Sequence, residues 1–171
     1  MNLKKKIAII ATNGYEDIEL HYPRIRLIEA GFDVDVISLD HNIIKGKYGY
    51  PVKPDLSIEE AKIEDYDGVI LPGGTINPDY LRRNKTVLKF VADMDKEKKM
   101  VSGICHAGWL LISAKIIKGR KVTSYFAIKD DIINAGALFE DSEVVIDNNL
   151  ITSRCPDDLP AYMKVVLAYL K

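Results

Sequence analysis

The sequence predicts an α/β domain whose mostly parallel central sheet is covered by helices on both sides. Apolar runs at 5–12, 69–71 and 100–104 carry almost no charge within them, as strands buried on both faces require. Segments of helical length and spacing lie between those runs. Each run ends in residues that gather at the C-terminal ends of parallel strands: Asn13-Gly14, Pro72-Gly73-Gly74 and Cys105-His106.

The first strand, 5–12, leads through a turn at Asn13-Gly14 into a helix that runs to Ala30 and stops at Gly31. Pro23 within it predicts a kink or a second helical segment. A strand follows at 32–39, then a glycine-turned hairpin outside the main sheet at 43–52. Ser57 and Glu60 form a capping box, which predicts a short helix before the strand at 69–71. Residues 78–84 read as a short helix, and Thr86 as the cap of a longer one through Lys98. After the strand at 100–104, a helix runs to Ala114. Lys121-Val122-Thr123 is a strand, 128–135 a helix, and 138–140 and 144–146 strands. The last of these turns at Asp147-Asn148-Asn149 into a returning strand at 150–153, and Asp157 caps the final helix.

With 171 residues, 47% of them hydrophobic and 29% charged, the chain is expected to form a single domain over 1–171. A formal net charge of -1 gives no electrostatic footprint for nucleic acid, so none is expected as partner. Lys4-Lys5-Lys6 before an apolar run imitates a secretion signal, but Asn13 and Glu16 interrupt it too soon. No membrane span is expected. Cys105 and Cys155 do not make a disulfide framework, and a reducing cytoplasm is the expected setting. The histidines are His21, His41 and His106, and no Cys/His grouping has the spacing of a metal site, so neither metal nor cofactor is expected.

The stretch with the most chemistry is Gly103-Ile104-Cys105-His106-Ala107-Gly108-Trp109, where a buried strand turns into a helix. A cysteine at such a corner projects from the sheet edge over the first free N–H groups of the helix, which favours thiolate and predicts easy ionisation of Cys105. The plain alternative is a small buried core residue. Glu16, Gly73, Gly74, His106 and Tyr125 all fall at strand ends of the same sheet edge and can converge on it.

In that order, Tyr15-Glu16-Asp17-Ile18-Glu19-Leu20, Leu71-Pro72-Gly73-Gly74, Gly103-Ile104-Cys105-His106, Thr123-Ser124-Tyr125, the 128–136 segment and Ser153-Arg154 resemble the PfpI family of intracellular proteases, related to the Parkinsonism-associated deglycase. The resemblance covers essentially the whole chain. It implies a flavodoxin-like three-layer sandwich of the kind class I glutamine amidotransferases share. It also implies Cys105 as nucleophile, Glu16 as its carboxyl partner, and an oxyanion site from the backbone N–H groups of Gly74 and His106; Gly73 beside them, and Tyr125 at the end of the strand at 121–123, are candidate substrate-binding residues by position, Tyr125 as a hydrogen-bond donor. Family proteases complete a Cys, His and Glu triad with an acid from a neighbouring subunit. Here the equivalent is Asp79, which would act with His106 in a homo-oligomer of dimers up to a hexamer. A glutaminase is excluded, because no histidine follows His106. Where the family commonly has Gly-Pro-Gln after the histidine, this chain has Ala107-Gly108-Trp109, and the indole is expected in the core.

Two enzyme readings follow. One is a glutathione-independent glyoxalase or deglycase acting on small reactive carbonyls or glycated adducts in stress protection, and the other an oligomeric cysteine peptidase. The non-enzymatic alternative is a redox sensor or chaperone whose Cys105 oxidises.

Overall fold

The computed structural model describes residues 4–171. The elements are β1 (Lys6–Ile10), α1 (Asp17–Glu29), β2 (Asp33–Ser38), β3 (Ile44–Lys45), β4 (Pro51–Val52) and β5 (Leu56–Ser57). Then come β6 (Gly68–Leu71), α2 (Ile76–Leu81), α3 (Lys85–Lys96), β7 (Met100–Ile104) and α4 (Gly108–Ser113). The last are β8 (Lys121–Val122), α5 (Lys129–Asn134), β9 (Leu138–Phe139), β10 (Val144–Asp147), β11 (Leu150–Ser153) and α6 (Leu159–Leu170).

Seven strands form the central sheet in the order β10-β11-β7-β6-β1-β2-β5, with every neighbour parallel except β10. Successive side chains leave opposite faces, and each face has its own core. Ile7, Ile9 and Ile70 join Leu20 and Leu27 of α1 and Met163 and Val166 of α6 on one side. Ala8, Ile10, Val69 and Leu71 join Val87, Val91, Leu110 and Leu111 of α3 and α4 on the other. The three-layer, flavodoxin-like expectation therefore holds. Every residue of β6, β7 and β11 is buried, which is why those runs carry no charge.

Several local expectations change. The helix α1 continues through Pro23 as a single element. Ser57 does bond Glu60, through both its N–H and its hydroxyl at 2.8 Å, but no α-helix follows. Ser57 is the last residue of β5, which pairs with Ile37 and Ser38 of β2, so sheet pairing has claimed the residue the capping pattern assigned to a helix. Asn84, not Thr86, caps α3, its side chain accepting from the Thr86 and Val87 N–H groups. Asp158 replaces Asp157 at the start of α6 and binds Arg154 instead of capping. β8 lies outside the main sheet and pairs with β9. The hairpin of β3 and β4 is present, also apart from the sheet.

Candidate active site

The site is built where β1, β6 and β7 end. Ile104 is still extended, Cys105 takes φ 60°, and a 3-10 turn carries the chain into α4. A side chain in the left-handed region costs on the order of 1 kcal/mol, and this strain holds the sulfur off the sheet edge. The Tyr125 N–H donates to the Cys105 carbonyl at 3.2 Å, tying the corner to the segment after β8.

Beside it, the double glycine after β6 passes between β7 and α1. A Cβ on Gly73 would lie 2.7 Å from both the Cys105 Cβ and Glu19 Oε2. Gly74 has φ 78°, and a Cβ there would lie 2.4 Å from the Gly14 carbonyl oxygen. Only glycine fits either place. Asn77, fully buried, holds this loop: its amide donates to the Pro72 and Gly73 carbonyls at 2.8 and 3.1 Å, and its oxygen accepts from the Thr12 N–H at 2.7 Å. Nothing in the sequence patterning singled out Asn77; an amide two residues into a helix after a strand-ending glycine pair was the available signal.

The carboxyl group that meets Cys105 is Glu19, not Glu16. Glu19 is 0% exposed, accepts the Gly73 N–H at 2.7 Å and lies beside the Cys105 thiol, each of the two groups shifting the other's ionisation. Its other oxygen, Oε1, has no N–H or O–H donor among the described residues. Burial, with the negative charge of Glu16 nearby, pushes the Glu19 carboxyl up to about 8 from 4.5. Glu16 precedes the first helical residue, with φ -70° and ψ 116°, and therefore points into the open cavity, 3.5 Å from Lys47 Nζ. One turn on, Glu19 falls with Pro23 and Leu27 on the buried stripe of α1, a spacing of four residues that was readable in advance.

Cys105 is not easily ionised in this setting. Burial and the Glu19 carboxylate push its thiol well above the ordinary cysteine range, against the pull of the His106 and Gly74 backbone N–H groups. When Glu19 carries a proton the like-charge part of that penalty disappears, so thiolate and carboxylic acid belong together as one unit. The two amides aimed at the sulfur are those of Gly74 and His106. The Gly73 amide is occupied by Glu19, which removes Gly73 from the set available to a substrate.

A cavity of about 620 Å³ opens over the sulfur, walled by Glu16, Lys47, Tyr48, Gly74, His106 and Tyr125. Lys47 and Tyr48 belong to the loop between β3 and β4, and Asp17 holds that loop in place. Its carboxylate accepts the Tyr48 and Tyr50 N–H groups at 2.9 and 3.0 Å, and Tyr15 donates its hydroxyl to the Tyr50 carbonyl at 2.6 Å. Asp17→Ala removes two bonds to a charged acceptor, a loss of roughly 2–4 kcal/mol. Steady-state kinetics should then show KM rising several-fold with a smaller change in kcat, since the loop forms a wall and not the reacting pair.

His106 Nδ1 lies 3.2 Å from Cys105 Sγ. Burial, with Lys47 nearby, lowers the imidazole from 6.5, so it is neutral at pH 7. Asp79 is exposed on α2 and makes no hydrogen bond or ion pair with His106 among the described residues. The expected triad is thus incomplete within one chain, because α2 turns this carboxylate outward. Tyr125 stacks on His106, ring centroids 4.8 Å apart. Trp109 is half-buried beside His106 and not in the core. His21 packs outside the cavity, on Tyr15 and Tyr50.

The sequence model of the DJ-1/PfpI family matches residues 5–169. The chain belongs to the DJ-1/PfpI family. It is 44% identical to a protein of Pyrococcus furiosus named Deglycase PfpI, over 97% of this chain and 99% of that one. It is 40% identical to the Putative cysteine protease YraA of Bacillus subtilis, over 99% of this chain and 100% of that one. Among solved structures, a two-domain protein of Anabaena variabilis containing DJ-1/ThiJ/PfpI-like and ferritin-like domains superimposes with a TM-score of 0.95 at 38% identity. That match covers 98% of this chain and 48% of the larger one, so the chain spans about half of its length. Among the described residues no helix is long and apolar enough to cross a membrane. Nor is any group of His, Cys, Asp and Glu among them placed to hold a metal ion.

Proposed function

We propose that the protein is a Cys105-dependent enzyme acting on small reactive carbonyls and early glycation adducts, of the glutathione-independent glyoxalase or deglycase type. The observation that carries this is the pairing of the Cys105 thiol with a buried Glu19 carboxyl that favours its protonated form. With methylglyoxal, the sulfur adds to the aldehyde carbon and the Gly74 and His106 amides stabilise the oxyanion. The oxygen takes up the Glu19 proton to give a hemithioacetal, which leaves Glu19 as the carboxylate that acts next as base. Glu19 then moves a proton from that carbon to the neighbouring one through an enediol, which leaves a lactoyl thioester. Water cleaves the thioester, releasing lactate and restoring the thiol. The names of the Pyrococcus furiosus and Bacillus subtilis relatives support an enzyme of this broad kind.

The peptidase reading draws on the 3.2 Å approach of His106 to the sulfur, and needs an acid for His106 from a second copy, with Asp79 as the candidate. A homo-oligomer in the cytoplasm, from dimer to hexamer, belongs to this proposal. Lactate formed from methylglyoxal without glutathione separates the readings. The wild type should turn over, Cys105→Ala should lose at least a thousandfold, and Asp79→Ala should stay within about threefold. A silent wild type that cleaves peptides, and loses that cleavage in Asp79→Ala, would replace the carbonyl reading with the peptidase one.

A further inference from the structure

Trp109 follows His106 by three residues, so the two side chains meet on one helical face. The indole lies edge-on to the imidazole, centroids 5.2 Å apart at 63°, while Tyr125 stacks on the same imidazole at 4.8 Å and 30°. The indole is itself fixed. Its Nε1–H donates to Asp131 Oδ2 at 2.7 Å, and the Arg82 guanidinium sits 5.8 Å from its ring centre, held in turn by Ser113 at 2.9 Å. His106 thus has two aromatic neighbours and, among the described residues, no carboxylate partner.

We propose that Trp109, pinned by Asp131, is the positioning residue of His106, holding Nδ1 on the Cys105 sulfur by aromatic packing where a triad enzyme would use an acid. The inference rests on Cys105 being the nucleophile. A histidine oriented by a carboxylate is stabilised as imidazolium, whereas one packed between aromatic rings is kept neutral by desolvation. The neutral ring takes the thiol proton at Nδ1, becoming imidazolium as the sulfur becomes thiolate, and returns that proton when the thiol is restored. The other charged or titratable groups around it are Lys47, Tyr48 and Glu16 across the cavity, Glu19 behind the sulfur, and Asp131 and Arg82 beyond the indole. Of these, Lys47 also disfavours the imidazolium.

Trp109 is the single tryptophan of the chain, which makes the contact directly observable. Protonated imidazole quenches a neighbouring indole, so wild-type fluorescence should fall on acidification with a midpoint below 6.5, and His106→Asn should abolish that step. The functional arm compares Trp109→Phe, which retains an aromatic edge, with Trp109→Leu, which retains bulk alone. Both are read by the pH dependence of Cys105 alkylation with iodoacetamide and by lactate turnover. Trp109→Leu should move the acid limb of alkylation up by about half a pH unit or more and lower kcat at least tenfold with KM within about threefold. Trp109→Phe should keep most of both. An unshifted acid limb and unchanged kcat in Trp109→Leu, or a fluorescence titration indifferent to His106, would overturn the proposal. Alkylation needs no carbonyl substrate, so failure of this inference and failure of the carbonyl reading register in different assays.

Discussion

Glu19→Gln is expected to stabilise the fold while removing most of the activity. In the folded chain the Glu19 carboxyl is held up to about 8, against 4.5 for the ordinary group, so the native state binds more protons than the unfolded one between those values. Stability must then fall as pH rises through that window and level off above about 8, because the slope has the sign of protons bound unfolded minus folded. Glutamine keeps the shape, accepts the Gly73 N–H and offers an N–H to the sulfur without this penalty. The gain at pH 8 is on the order of a few kcal/mol, or roughly 5–10 °C in Tm for a chain of this length. Calorimetry at pH 5 and pH 8 should show the two proteins alike at the lower pH and well separated at the higher. Turnover should fall by roughly 10²–10⁴-fold, the usual range for a lost acid-base group. Glu16→Gln, which alters the cavity wall and removes the smaller, charge-based push on Glu19, should cost less than about tenfold; the reverse ranking would restore Glu16 as the partner.

Asn77→Ala should be the most destabilising single change at the site. It strands the Thr12 N–H and takes the side-chain donor from the Pro72 and Gly73 carbonyls, all in a fully buried place. Each lost partner of a buried polar group costs about 1–3 kcal/mol, which puts the total at roughly 3–5 kcal/mol. Urea unfolding should show a lower midpoint with an unchanged m-value. Because the Gly74 amide rides on the same loop, turnover should fall at temperatures where the variant is still folded. An unfolding free energy within about 1 kcal/mol of wild type would mean that the loop is held by other contacts.

The parallel core was legible because β1, β6 and β7 are buried on both faces and carry no charge beyond Lys6 at the start of β1. The same reasoning located Cys105, Gly74, His106 and Tyr125, since each closes a strand or follows one. It failed for the acid, because strand-end logic stops at Glu16 while the choice between Glu16 and Glu19 depends on where the helix begins. An extended residue 16 puts its carboxyl in the cavity, and the first turn then carries Glu19 to the buried stripe with Pro23 and Leu27. α2 starts at Ile76, two residues earlier than Pro78 suggested, and leaves Asp79 exposed, where only a second copy of the chain could bring it to a His106. Trp109 was assigned to the core from its size and spacing, but Asp131 offers its N–H a partner at the surface and His106 offers its ring an edge. The contribution of Asn77 is a matter of tertiary hydrogen bonding, which periodicity does not encode.

The most direct test of the paired Cys105 and Glu19 is the rate of Cys105 alkylation by iodoacetamide across pH 5–11, read by mass spectrometry in the wild type, Glu19→Gln and Glu16→Gln. Two coupled groups lose their protons in two macroscopic steps. Above the acid limb set by His106, the wild-type rate should take a further step near pH 8, where the Cys105 and Glu19 pair loses its first proton, and stay below its full value at pH 11, because the last proton is held well above the ordinary cysteine range. Glu16→Gln should keep that shape, and Glu19→Gln should lose the step near pH 8. Superimposable curves for the wild type and Glu19→Gln would mean that the carboxyl does not share its proton with the thiol, and the account of the site would fail at its centre.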